Sequence, residues 1–198
     1  MVVRDSQLAS ILPGYSGLRV TADEFFGLPD DGNRYELIDG VVTMSPSPSV
    51  SHQRVSGLIF RLLSTYVEER GLGECFYEID VHFGTSEDGR DIVYRPDVIC
   101  YIGAASQAEN ERLRLVPSVV VEVVSPESRN RDSHTKLRDY SRFGVAEYWL
   151  IDPSADVVRL YRRVGDNLEE QPIDRGLESV AVPGFCLDLA VVRKSFRP

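Results

Sequence analysis

Along the chain, apolar positions recur with two different periods, and the change from one to the other marks out the elements. Between Ser51 and Arg70 the residues Val55, Leu58, Ile59, Leu62, Leu63, Tyr66 and Val67 fall at i, i+3, i+4 and i+7, which predicts a long amphipathic helix ended at Gly71. From Cys75 to Phe83 the period drops to two. Tyr77, Ile79 and Val81 alternate with Glu78, Asp80 and His82, the pattern of a half-buried strand whose polar face carries Asp80 and His82. Upstream, Thr21-Ala22-Asp23-Glu24 has the form of a capping box opening a short helix. The runs Tyr35–Ile38 and Val41–Met44 flank Asp39-Gly40, a dipeptide suited to a two-residue hairpin turn.

Two further runs are apolar without alternation, as expected of strands covered on both faces: Val98-Ile99-Cys100-Tyr101 and Val119-Val120-Val121-Glu122-Val123-Val124. A polar stretch around 104–112 lies between them and is read as helical. Beyond the second run a helix from about Asn130 to Phe143 is predicted, with Leu137, Tyr140 and Phe143 inward and Gly144 as its stop. Glu147–Asp152 then reads as a strand whose Tyr148 and Trp149 pack in the core or at an interface, with one of them outward by alternation, and Val157–Arg163 with Leu168–Pro172 as a hairpin. These elements make an α/β (α+β mixed) chain: a central mixed β-sheet flanked by helices, with an N-terminal hairpin and a C-terminal β extension.

Composition narrows the class. With 198 residues, 42% hydrophobic and 27% charged, the chain suits a single domain over 1–198. The net charge of −9 argues against a broad nonspecific polyanion binder, so any nucleic-acid contact is local. Cys75, Cys100 and Cys186 lie far apart beside apolar residues, without metal or redox spacing, and read as buried thiols in a reducing compartment. No apolar stretch approaches the ~20 residues of a membrane span, and the expectation is a cytoplasmic protein with no membrane partner.

The candidate chemistry is a pair of carboxylates where carboxylates do not belong. Glu122 sits inside the valine run and Asp97 follows Arg95-Pro96 at the head of the other. Burying an ionised carboxylate costs several kcal/mol unless a cation meets it. Two acids on neighbouring strands present hard oxygen ligands for Mg2+ or Mn2+, which can activate water and neutralise charge at a phosphate. Alternatively, Glu122 pairs with an arginine such as Arg95, and Asp97 is a strand-entry residue bonded to a turn.

The order of elements, together with Tyr35–Gly40, Ser47–His52, Arg95-Pro96-Asp97, Val121–Pro126, Lys136–Tyr140 and Gly144–Pro153, resembles the PD-(D/E)xK nuclease superfamily, and within it the Uma2 (DUF820) branch of restriction-endonuclease-like proteins. The resemblance implies a metal-dependent endonuclease acting on DNA, a restriction-endonuclease-like core, a homodimer, Asp97 as the "PD" acid and Glu122 as the "D/E". It also exposes a departure. The superfamily lysine belongs two residues after Glu122, where this chain has Val124. In the branch the lysine has moved to the following helix, and Lys136 stands at that position. Glu36 is a further candidate acid, or else a solvent-facing strand residue. His52 either meets a phosphate or is a surface or capping residue at the helix start. Two other readings stay open: a catalytically silent nucleic-acid-binding or dimerisation module, and a hydrolase of another phosphate ester.

Overall fold

A computed structural model describes residues 14–103, 108–109, 112–125 and 129–196. In chain order the elements are α1 (Ala22–Phe26), β1 (Arg34–Ile38), β2 (Val41–Ser45), α2 (Val50–Glu69), β3 (Gly73–Tyr77), β4 (Val81–Thr85), β5 (Asp91–Tyr94), β6 (Val98–Ile102), β7 (Ala108–Glu109), β8 (Arg112–Leu113) and β9 (Val119–Val123). A π-helical turn (Arg131–Lys136) then runs into α3 (Leu137–Phe143), followed by β10 (Glu147–Asp152), β11 (Val157–Val164), β12 (Asn167–Gln171), β13 (Gly176–Glu178), β14 (Cys186–Asp188) and α4 (Leu189–Lys194). No helix among the described residues is long and apolar enough to cross a membrane.

The chain groups into two compact units. The first comprises Met1–Ser47, Asp80–Arg95 and Ala108–Leu115; the second comprises Pro48–Ile79, Pro96–Gln107 and Val116–Pro198. The first unit is built on a sheet of order β2-β1-β5-β4-β8-β7. Its hairpin turns at Asp39-Gly40, both at positive φ (53° and 71°), as a tight turn between right-twisted strands requires. The predicted capping box is present at Thr21 and Glu24. Val20, Ala22, Phe25, Tyr35, Leu37, Val42 and Val93 form its core.

The second unit carries a mixed sheet of order β12-β11-β10-β9-β6-β3, in which β9 and β10 are parallel and the other neighbours antiparallel. Helix α2 lays Val55, Ile59, Leu63 and Val67, all wholly buried, on this sheet, where Val98, Val119, Val121, Trp149 and Ile151 meet them. Every residue of β9 and of β10 is buried, so the charges they carry lie inside the fold.

Several expectations are corrected. Cys75–Phe83 is not one strand: Glu78 takes φ 48°, β3 ends before it and β4 begins after it in the other unit's sheet. Alternation passes through the break because Tyr77, Ile79 and Val81 keep the period on either side. Asp97 stands just ahead of β6 rather than within it. In the stretch read as helical, 108–109 and 112–113 are short antiparallel strands, while 104–107 and 110–111 lie outside the described residues. Tyr148 and Trp149 both pack in the core as expected, but neither turns outward, because the sheet is covered on both faces. On the helix after β9, Leu137 and Phe143 are only half-buried, and the inner face is Asp132, Lys136, Asp139 and Tyr140. The cysteines are not three buried thiols: β3–β6 register sets Cys75 opposite Cys100, Cα atoms 4.2 Å apart, in a disulfide, and Cys186 is exposed.

Candidate active site

Register brings the two acids together. β6 and β9 are antiparallel with Val98 opposite Val121, so one step further along sets Asp97 against Glu122. The Val123 N–H, next to Glu122 in the chain, donates to Asp97 Oδ2 at 2.6 Å. Asp97 is 8% and Glu122 4% exposed. Each is met by a basic group of the second unit. His52, in the first turn of α2, lies with Nε2 3.2 Å from Asp97 Oδ1, its ring fixed by a helix that Ser49 caps through the His52 N–H. Lys136 Nζ lies 2.8 Å from Glu122 Oε1, and the Tyr140 hydroxyl donates to the same oxygen at 2.6 Å.

Lys136 comes from the helix between β9 and β10, whose inner face is largely polar. Asp132 Oδ1 stands 3.7 Å from Nζ and is itself 2% exposed. Three carboxylates thus face one ammonium and one imidazole. Burial pushes the His52 pKa down, but the bond to Asp97 and the charges of Asp97, Glu78 and Asp132 outweigh it and hold it above the ordinary value. His52 Nδ1 is buried without a hydrogen-bond partner among the described residues. Its Nε2 is therefore the end that the protein uses.

The remaining candidates have partners of their own. Glu36, on β1 in the first unit, is 3% exposed rather than solvent-facing, and its Oε1 accepts the Arg95 N–H at 3.1 Å. Arg95, which sequence offered as a partner for Glu122, instead forks Asp80 at 2.6 and 2.8 Å. His82 bonds Asp91 at 2.9 Å within the same unit. The exposed His134 stays on its own helix, at the Asn130 carbonyl.

Over residues 22–191 the chain matches a family model described as Uma2, putative restriction endonuclease. The chain belongs to the Uma2 family. Its fold also resembles the crystal structure of a putative nuclease belonging to DUF820 from Anabaena variabilis, with a TM-score of 0.75 over 90% of this chain and 99% of that one at 20% identity. No curated protein matches it. For a Uma2 protein the chain has a telling composition: of 22 basic residues only two, Lys136 and Lys194, are lysines, and the rest are arginines. A fold that leaves one lysine, Lys194, on its surface and buries the other against two carboxylates marks that lysine out. That rarity is a sequence signal for Lys136, independent of any motif. Asp132 and Tyr148 carry no such signal, since an aspartate on a helix and a tyrosine in a strand are ordinary until the packing is known.

The donor set has a definite chemistry. Among the described residues no three His, Cys, Asp or Glu side chains group as a protein cage for a metal. Two buried carboxylates with hard oxygens instead suit a cation that keeps several waters and takes substrate oxygens as ligands, the habit of Mg2+ and, by ligand preference, Mn2+.

Proposed function

We propose that this Uma2 chain is a divalent-metal-dependent endonuclease that hydrolyses phosphodiester bonds in DNA. The observation that carries the reading is the 2.8 Å contact of Lys136 with Glu122, which supplies from the following helix the ammonium absent at Val124. A buried ion pair is a poor way to stabilise a fold, since replacing one with packed hydrophobics is often neutral or favourable. Its retention beside a second buried acid is what an active site requires. Asp97 and Glu122 would hold Mg2+ or Mn2+, which supplies a Lewis acid and a water of lowered pKa when bound. Lys136, steered by Glu122, donates to the attacking water or to a non-bridging phosphate oxygen as charge builds there. His52 orients the Asp97 carboxylate and balances part of its charge. The family match runs across segments of both units, which supports treating them as one functional domain, and cutting both strands of a duplex favours a homodimer.

One observation favours a second reading, a catalytically silent nucleic-acid-binding module: both acids already have basic partners in the chain itself, His52 and Lys136. Plasmid and oligonucleotide cleavage with Mg2+ and Mn2+ separates the two. The enzyme cuts, and Asp97→Ala, Glu122→Ala and Lys136→Ala each remove the cutting. DNA binding with no cleavage by the wild type supports the silent module. Nicking that survives all three substitutions sinks the assignment of the site.

A further inference from the structure

Lys136 ends a stretch of helix wound wider than its surroundings. Arg131–Lys136 is a π turn, and α3 continues from it as an ordinary α-helix. Such turns are rare and recur at functional sites. In an unbroken α-helix, eight residues overshoot two full turns by about 80°. In a π turn of about 4.4 residues the first four instead fall roughly 30° short, which offsets the roughly 40° overshoot of the next four. Asp132, Lys136 and Tyr140 therefore line one stripe facing Glu122.

A second strand holds this turn. Tyr148, wholly buried on β10, donates its hydroxyl to the Asp132 carbonyl at 3.0 Å. Burial, with the charges of Glu122 and Asp132, keeps that hydroxyl's pKa well above its ordinary value, so it stays a donor. Its ring lies edge-on to Tyr140, centroids 5.1 Å apart, and stacks on Tyr161 at 5.7 Å. The rotamer is thus fixed from both sides. A lysine stem is long and flexible, and one carboxylate leaves it room to swing. A second carboxylate 3.7 Å from the ammonium takes that room away.

We propose that Asp132 and Tyr148 are positioning residues of the Lys136–Glu122 pair: Tyr148 fixes the π turn through the Asp132 carbonyl, and the Asp132 carboxylate holds the ammonium in the orientation that Glu122 receives. This rests on the reading of Lys136 as the lysine of the site, but part of its test does not depend on catalysis. Because the chain has only two lysines and Lys194 is exposed, acylation with an amine-selective ester followed by peptide mass spectrometry reads Lys136 against an internal reference.

In the wild type Lys136 is protected relative to Lys194. In Asp132→Asn and Tyr148→Phe, assayed well below their melting temperatures, the Lys136/Lys194 labelling ratio rises about tenfold, as expected when a locally held group is released without global unfolding. In DNA cleavage the same variants lower kcat by about 10- to 100-fold with KM within about threefold, the signature of a mispositioned group. A ratio unchanged in Asp132→Asn overturns the proposal, as does a loss confined to KM. Asp132→Asn keeps the hydroxyl–carbonyl bond and decides the question should Tyr148→Phe not fold. If the wild type cuts no DNA, the nuclease reading falls alone, and the labelling ratio still judges the positioning claim.

Discussion

Two buried glutamates lie on neighbouring strands of one sheet, and their surroundings could hardly differ more. Glu147, at the start of β10, is 1% exposed and is bonded at both oxygens: Oε1 accepts from Arg162 at 3.2 Å and from the Val180 N–H at 2.8 Å, Oε2 from the Trp149 indole at 3.2 Å and the Ser179 hydroxyl at 2.7 Å. Its donors come from β11, from its own strand and from the segment after β13, so one carboxylate ties three parts of the second unit together. Glu122 on β9 receives instead a lysine ammonium and a tyrosine hydroxyl on the same oxygen, beside Asp97. Burial alone does not separate a structural acid from a chemical one. The donors differ in kind: rigid backbone, indole and guanidinium groups on Glu147, and the point charge of a buried lysine ammonium on Glu122.

The comparison breaks if the two acids exchange effects. Glu147→Ala leaves the Val180 N–H, the Ser179 hydroxyl and a mostly buried Arg162 without their acceptor, and is expected to cost about 3 kcal/mol of unfolding free energy. Urea denaturation measures it. Glu122→Gln is expected to cost clearly less stability, because Asp132 remains near the Lys136 ammonium, while removing metal-dependent cleavage by about a thousandfold. A Glu122→Gln protein that cuts normally, or a Glu147→Ala protein as stable as the wild type, would undo the distinction.

A sharper version removes both partners. Glu122→Leu with Lys136→Met replaces a buried ion pair by apolar side chains, and such exchanges are often neutral or stabilising. That exchange also takes the acceptor from the Tyr140 hydroxyl and the cation from buried Asp132, so Tyr140→Phe and Asp132→Asn accompany it; the combined variant is expected to unfold within about 1 kcal/mol of the wild type, or above it, with no cleavage, whereas Glu147→Leu with Arg162→Met still strands Ser179 and the Val180 N–H and is expected to lose about 2 kcal/mol. Denaturant midpoints at equal slope decide between them.

How much of this was legible before the fold was known depends on whether the signal was local. The Asp39-Gly40 hairpin, the capped α1, the stripe of α2 and the valine run of β9 each follow from a few adjacent residues, and the structure has them where the pattern sets them. Asp97, Glu122 and Lys136 were legible as misfits: two charges in apolar runs and a lysine on the next helix. The break at Glu78 was not, because its positive φ falls on a residue that carries no glycine-like signal. The Cys75–Cys100 pairing is a matter of β3–β6 register, which no local pattern specifies. The inner face of the helix after β9 misleads for a related reason. Its buried positions are Asp132, Lys136, Asp139 and Tyr140, so a search for apolar periodicity passes over the residues that reach the site.

A third acid, at the far end of β10, tests the same contrast on the smallest scale. Asp152 Oδ1 accepts from the Ser154 hydroxyl at 2.7 Å and from the Ser154 and Ala155 N–H groups at 3.1 Å, and Oδ2 pairs with Arg129 at 2.9 Å. Burial pushes its pKa up, but these donors outweigh burial and hold it below the ordinary value of 3.8. A carboxylate whose folded pKa is depressed contributes stability that is fully present above its unfolded pKa and is lost as pH falls through the folded one. The stability gap between the wild type and Asp152→Asn, measured by urea unfolding, is therefore expected to be constant from pH 7 to about pH 5 and to narrow below about pH 4. A gap that widens on acidification reverses the sign and removes Asp152 from the structural acids. Cleavage by Asp152→Asn at neutral pH is expected to match the wild type, because the donors on this carboxylate close a turn and anchor Arg129, as those on Glu147 anchor strands, and none of them is the lysine.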